Sequence, residues 1–208
     1  EKKERLLNLI TPTTDYSLLK GADLIIEAVF ENRDIKADVT AKAEEQIVDT
    51  AVFGSNTSTL PITGLAKNSK RPNNFIGVHY FSPVEKMPLV EIIMGEETSQ
   101  ETLAKTMDYV QKIKKTAIVV NDSRGFYTSR VFSTYTGEGM EMLAEGINPA
   151  LIENAGKMTG MPMAPLALMD AVALDLAHKV SVQTKKDFEA EGKEFPVSVP
   201  QKVLEEFV

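Results

Sequence analysis

The chain has 208 residues, a net charge of −7, no cysteine and two histidines. The lack of cysteine excludes disulfides, thiolate metal sites and cysteine nucleophiles, and two distant histidines argue against a histidine-rich metal site. The negative charge, without a basic stripe, argues against nucleic acid as a partner. The apolar runs are too short for a membrane span, and the polar N-terminus predicts no signal or transit peptide.

Strand-like and helix-like segments alternate after a charged, helix-prone start. Near-continuous apolar or β-branched runs predict strands at residues 8–13, 22–30, 51–55, 75–78, 89–94 and 116–120. Apolar residues at helical spacing and helix-capping residues predict helices at 15–20, 34–48, 61–67 and 101–114, the last with Ser99 as its N-cap. This alternation is typical of an α/β fold with a doubly wound, mainly parallel sheet.

The pattern changes near residue 122, after which only helices are predicted. One covers 126–144, Asn148 and Pro149 begin the next, a long helix covers 166–189, and Ser198 opens the last. We therefore expect an α/β domain over residues 1–122 and an all-α domain over residues 123–208. His178, within the long helix, is most simply a structural residue.

The stretch from 75 to 94 contains a candidate catalytic pair. Its two apolar runs flank a loop bounded by Pro83 and Pro88. Proline has no backbone N–H and cannot donate a hydrogen bond within a central strand. If the runs fold back on each other about Glu85, His79 lies beside Glu91. A carboxylate that binds one ring nitrogen orients the imidazole and leaves the other nitrogen to take a proton. The alternative is a structural hydrogen bond at a strand end.

Polar side chains also follow the predicted strands, where an open parallel sheet binds its ligand. Residues 29–31 end one strand in a carboxylate, and residues 55–58 end the next in hydroxyl and amide groups. Lys36 lies in the first turn of the following helix. An ordinary solvated loop also collects Ser, Asn and Thr, so this pattern by itself leaves a ligand site and a loop both open.

Five segments carry a family resemblance: DLIIEAVFEN (23–32), GSNTSTL (54–60), HYFSPVEKMPLVEII (79–93), IVVNDSRGFY (118–127) and GMPMAP (160–165). Together they resemble the 3-hydroxyacyl-CoA dehydrogenase family, most closely the dehydrogenase part of multifunctional fatty-acid β-oxidation enzymes. The resemblance implies a Rossmann-type sheet followed by the family's helical C-terminal domain. It also implies a cytoplasmic location in a bacterium, and a mitochondrial or peroxisomal one in a eukaryote.

The resemblance implies oxidation of (S)-3-hydroxyacyl-CoA to 3-ketoacyl-CoA with hydride transfer to NAD. His79 matches the general acid/base, Glu91 its partner, and Ser58 the serine between cofactor and substrate hydroxyl. The matched cofactor-binding positions are Val29, Phe30, Glu31, Lys36, Asn56, Ser58 and Ser82. The matched substrate-binding positions are Ser58, Ser82 and Ser129.

Ser82 and Ser129 depart from the monofunctional members of the family, which carry asparagine at both positions. Both serines resemble the multifunctional enzymes, and a serine reaches less far than an asparagine toward a thioester or nicotinamide.

No G-x-G-x-x-G motif occurs in the chain, although the family's fold begins with this phosphate-binding turn. We therefore expect a fragment that lacks the first βαβ unit and the end of the helical domain, with little NAD affinity and negligible turnover by itself. Its exposed sheet edge and helical domain favour a homodimer or other self-association. Met161, Met163 and Met169 are interpreted as helix packing or a subunit interface in preference to an acyl groove.

Two other functions stay open at this point. One is a catalytically silent CoA-binding or dimerisation module that keeps the fold without the chemistry. The other is a hydrolase that uses Ser58, His79 and Glu91, although the chain has no G-x-S-x-G elbow.

Overall fold

The computed structural model describes residues 2–172, 174–190, 192–195 and 198–207. They form two compact units, one up to Phe126 and the other from Tyr127 onward. None of the described helices combines the length and the apolar character that crossing a bilayer requires.

The first unit is built on a five-stranded sheet in which chain order and spatial order coincide. Its strands are β1 (Leu24–Glu27), β2 (Val52–Ser55), β3 (Phe75–Tyr80), β4 (Leu89–Met94) and β5 (Thr116–Asn121). The β1–β2, β2–β3 and β4–β5 pairs are parallel, and only β3–β4 is antiparallel. The helices of this unit are α1 (Lys2–Leu7), α2 (Arg33–Glu44), α3 (Ile62–Ala66) and α4 (Gln100–Lys112), with short 3-10 turns at Tyr16–Leu19 and Pro72–Asn74. The predicted α/β fold with a mainly parallel sheet is confirmed.

Apolar side chains cover both faces of the sheet. On one face Phe53, Phe75 and Ile93 pack with buried residues of α2 and α3. On the other, Val52, Ile76 and Ile92 pack with residues of α4. Burial on both faces explains why the central strands are mostly apolar and show no regular polar alternation.

Two predicted strands differ from the structure. Residues 8–13 form no strand, because the amides of Leu9 and Ile10 donate to the carbonyls of Leu6 and Leu7 and so prolong the last turn of α1. The strand predicted at 22–30 ends at Glu27, whose carboxylate accepts the amide of Val29 and turns the backbone out of the ladder.

The second unit contains helices only among its described residues. They are α5 (Thr128–Ala144), α6 (Pro149–Met158), α7 (Pro165–Val172), α8 (Leu174–Ala190) and α9 (Val199–Phe207). The long helix predicted at 166–189 corresponds to α7 and α8, and its continuity depends on residue 173, which lies outside the described residues.

The N-terminal end of α7 packs tightly against α5 and α6. A Cβ at Gly139 would lie 2.7 Å from the Cβ of Pro165, and one at Gly156 would lie 2.5 Å from its Cδ. Met140, Met169 and Leu204 form the buried core of this unit, whereas Met161 and Met163 are exposed.

Candidate active site

The antiparallel pair β3–β4 places His79 directly opposite Glu91. The Nδ1 atom of His79 lies 2.7 Å from Oε2 of Glu91. Glu91 is 0% exposed and His79 is 6% exposed. The predicted fold-back of the two runs about their loop is therefore confirmed, and it creates a buried imidazole–carboxylate pair.

The alternation of side chains along β4 explains how a carboxylate comes to lie in this core. Val90 and Ile92 point to the α4 face, so Glu91 and Ile93 share the opposite face with His79 and Gly77. A Cβ at Gly77 would lie 2.8 Å from the Cβ of Ile93, so glycine at this position lets β3 pack closely there. A buried carboxylate needs a hydrogen-bonding partner, and the imidazole supplies one.

Aromatic rings flank the imidazole within the first unit. The centroid of Phe81 lies 4.5 Å from that of His79, and the centroid of Phe126 lies 6.0 Å from it. These apolar neighbours limit water around the pair and so strengthen its electrostatic interaction.

A second carboxylate, Glu31, binds the loop that follows β2. Its Oε2 accepts the hydroxyl of Thr57 at 2.8 Å, and its Oε1 accepts the amide of Ser58 at 2.7 Å and the Ser58 hydroxyl at 3.1 Å. Asn56 Oδ1 accepts the amide of Tyr80 at 2.8 Å. The ends of β1, β2 and β3 are thus linked through side chains that the sequence analysis singled out.

A third carboxylate, Glu27, was missed by the sequence analysis. Its Oε1 lies 2.9 Å from the Nζ of Lys36, and its Oε2 accepts the hydroxyl of Ser55 at 2.8 Å. All three side chains are buried. A carboxylate within an otherwise apolar run predicts a buried ion pair, and that signal could have found Glu27 before the structure did.

The remaining predicted site residues are more scattered. Lys36 is only 2% exposed and donates to Glu27 and to the carbonyl of Val29, whereas Phe30 is 83% exposed. Ser82 lies in the exposed loop between β3 and β4, before a cis peptide bond to Pro83. Ser129 lies in the first turn of α5, in the second unit.

Lys115 anchors the loop that carries Ser82. Its Nζ donates to the carbonyls of Val84 at 2.6 Å and of Met87 at 2.7 Å.

Within the described part of the chain, no three His, Asp or Glu side chains are grouped to hold a metal ion.

This edge of the sheet suits the nicotinamide half of a dinucleotide. The carboxyl ends of β1, β2 and β3 present Ser58, Glu31 and His79 together with an exposed aromatic ring, and no glycine-rich turn for the pyrophosphate is present in the sequence. The chemistry of the described residues therefore fits the reactive end of such a cofactor.

Comparison with known families decides the assignment. Residues 1–123 match the family model described as 3-hydroxyacyl-CoA dehydrogenase, NAD binding domain, and residues 125–208 match that family's C-terminal domain. The chain belongs to the 3-hydroxyacyl-CoA dehydrogenase family. The cofactor of the family's first domain is NAD.

Fatty acid oxidation complex alpha subunits from Shewanella species are similar to the chain. The chain is 42% identical to a fatty acid oxidation complex subunit alpha of Shewanella amazonensis over 186 residues, which is 89% of this chain and 26% of that protein. The chain thus spans about a quarter of the length of the curated relatives that it matches.

Solved structures of this dehydrogenase family have the same fold. M. tuberculosis FadB2 is 28% identical with a TM-score of 0.86, over 98% of this chain and 73% of that one. The (S)-3-hydroxybutyryl-CoA dehydrogenase PaaH1 from Ralstonia eutropha is 34% identical with a TM-score of 0.83, over 90% of this chain and 67% of that one.

Proposed function

We propose that the chain carries the dehydrogenase centre of a protein that oxidises (S)-3-hydroxyacyl-CoA to 3-ketoacyl-CoA in fatty-acid oxidation. The observation that carries this proposal is the buried hydrogen bond between His79 and Glu91 at the ligand-binding edge of the sheet. Membership in the family and the likeness to a fatty acid oxidation subunit support the substrate class.

His79 is the proposed general acid/base. Its Nε2 takes the proton of the 3-hydroxyl group as the carbinol carbon loses hydride, and it returns that proton to the carbonyl oxygen in the reverse direction. Glu91 holds the ring through Nδ1 and stabilises the imidazolium that forms. NAD, when bound, supplies the hydride acceptor.

The other side chains of the site have binding roles in this proposal. Ser58 lies between cofactor and substrate hydroxyl, and Glu31 fixes Ser58 through its amide and hydroxyl groups. The proposed wall of the cofactor site consists of Val29, Phe30, Glu31, Asn56 and Ser82. Ser82, in the first unit, is proposed to contact the acyl thioester. Ser129, in the second unit, stays a proposed substrate-binding residue.

Replacing His79 by glutamine tests the proposal in the longest gene product that contains this sequence. Glutamine can still form hydrogen bonds but cannot act as a general acid/base near neutral pH. We therefore expect kcat for reduction of acetoacetyl-CoA to fall about 10²- to 10⁴-fold. The affinity for NADH should stay within about twofold, because the imidazole acts on the substrate proton. Oxidation of NADH, followed by its absorbance, measures the rate.

The second histidine provides a matched control. His178→Gln makes the same chemical change in α8, in the other unit, and should leave kcat unchanged. Unchanged turnover in His79→Gln, or no reduction of 3-ketoacyl-CoA by the unmodified protein, would overturn the proposal.

Acyl-CoA binding and free CoA thiol, measured beside NADH oxidation, distinguish the two alternatives. A silent module would bind acyl-CoA without turnover, and a hydrolase would release free CoA thiol without consuming NADH. The hydroxyl of Ser58 donates to Glu31, which favours a positioning role for this serine over a nucleophilic one.

Association of two copies is part of the proposal. Exposed apolar side chains of the helical unit, such as Leu151 and Met158, provide surface for it. Sedimentation equilibrium would measure the mass, and a monomer at micromolar concentration would refute this part alone.

A further inference from the structure

The ion pair between Glu27 and Lys36 holds both polar backbone atoms of Val29. The Oε1 atom of Glu27 accepts the amide of Val29 at 2.7 Å, and the Nζ of Lys36 donates to the carbonyl of Val29 at 3.3 Å. The two charged side chains bind each other directly, with Nζ 2.9 and 3.1 Å from the carboxylate oxygens.

Because this ion pair is buried, its net contribution to stability is expected to be small. The side chains of Lys36 and Glu27 are 3% and 1% exposed. Desolvation of two charges offsets most of their attraction, and apolar residues of similar volume often stabilise a fold equally well. The geometry instead connects the pair to one short segment, residues 28–31, where the chain leaves β1.

This segment leads directly to Glu31, which binds Thr57 and Ser58 of the neighbouring loop. The position of Glu31 depends on the backbone direction at Val29, since one residue separates the two. Ser55, at the end of β2, also donates to Glu27 and so ties the pair to the adjacent strand.

We propose that Glu27 and Lys36 are positioning residues that hold segment 28–31 in the conformation that receives the nicotinamide end of the cofactor. Lys36 holds this segment through Glu27 and the carbonyl of Val29, and only 2% of its surface is exposed. The identity of the ligand rests on the proposed function, whereas the positioning of the segment does not.

Three variants separate positioning from stability: Lys36→Met, Glu27→Leu and the double variant. Each single change leaves one buried charge without its partner and should lower the melting temperature strongly. The double change removes both charges, and we expect it to recover most of that loss. The double variant still lacks both side-chain hydrogen bonds to the backbone of Val29. Amide hydrogen exchange at residues 28–31 should therefore stay at least about tenfold faster than in the unmodified protein.

NADH affinity provides a second readout in the longest gene product that contains the sequence. If the pair positions segment 28–31, the double variant should bind NADH with a dissociation constant about tenfold higher, although its melting temperature is recovered. Its KM for NADH should rise by a larger factor than its kcat falls. The exposed pair Lys42–Asp38 on the same helix is the control, and Lys42→Met with Asp38→Asn should change none of these quantities.

Recovery of amide protection together with the melting temperature in the double variant would overturn the proposal, because the pair would then be structural only. If the unmodified protein fails to bind NADH, the proposed function fails, and the exchange data still decide the positioning role. Should the double variant not fold, Lys36→Met serves in its place, because Glu27 keeps its donors Ser55 and Val29. Unchanged exchange at residues 28–31 in that variant would also refute the proposal.

Discussion

Replacement of Glu91 by glutamine tests whether the negative charge of this side chain makes His79 an effective base. Glutamine has the same shape, so the packing of β4 is kept while the charge is lost. A hydrogen bond to a charged group contributes about 1.5–3 kcal/mol, and water hardly screens this one because Glu91 is fully buried, 2.7 Å from the ring nitrogen. If the carboxylate stabilises the imidazolium of the transition state by that amount, kcat falls about 10- to 150-fold.

The assay is oxidation of (S)-3-hydroxybutyryl-CoA by NAD, the direction in which His79 acts as the base, in the longest gene product that contains the sequence. Urea unfolding verifies that the variant is folded. Glu85→Gln is the matched control, because Glu85 lies exposed in the loop between the same two strands. A folded Glu91→Gln protein with kcat within about twofold of the unmodified one would show that the carboxylate does not support proton transfer, and the reasoning from this hydrogen bond would be refuted.

Three further predictions concern stability. Gly139→Ala should lower the free energy of unfolding by about 1–3 kcal/mol, because its Cβ would lie 2.7 Å from Pro165. Gly137→Ala, in the same helix, has no neighbour nearer than 3.7 Å and should raise the free energy of unfolding by about 0.5–1 kcal/mol. Urea titration measures both. Asp122→Ala should lower it by about 0.5–2 kcal/mol, because Asp122 accepts two amides at the start of α3, and an unchanged urea midpoint would contradict this. Burial raises the pKa of Tyr80 in the folded state. The contribution of the neutral phenol to stability is therefore complete below about pH 10 and is lost as the pH rises toward the folded-state pKa. In urea titrations at alkaline pH, Tyr80→Phe should lose less stability than the unmodified protein.

The hairpin and its buried pair could be predicted because the information is local. Two apolar runs separated by a proline-bounded loop have a midpoint, and the midpoint sets the register that brings His79 to Glu91. The polar residues after β2 could also be placed at the ligand edge, because the carboxyl ends of parallel strands lie together.

The environment of Lys36 could not be predicted in the same way. Its position on α2 was clear, but the direction of a long flexible side chain depends on which acceptor the tertiary fold supplies, and Glu27 supplies it from another element. Residues 8–13 illustrate the opposite case. Leu9 and Ile10 suggest a strand, although their amides donate to the last turn of α1. Strand propensity alone cannot show whether a partner strand is present.

The short hairpin that carries His79 and Glu91 has a consequence for folding. His79 and Glu91 are 12 residues apart in the chain, whereas the contacts of Glu31 with Ser58 and of Glu27 with Ser55 join residues 27 and 28 apart. Loop-closure entropy grows with the length of the closed segment, and parallel strands pair only after a crossover has formed. The His79–Glu91 pair therefore depends on contacts of lower contact order than the contacts of Glu27 and Glu31 do, and we expect the His79–Glu91 pair to form first during folding.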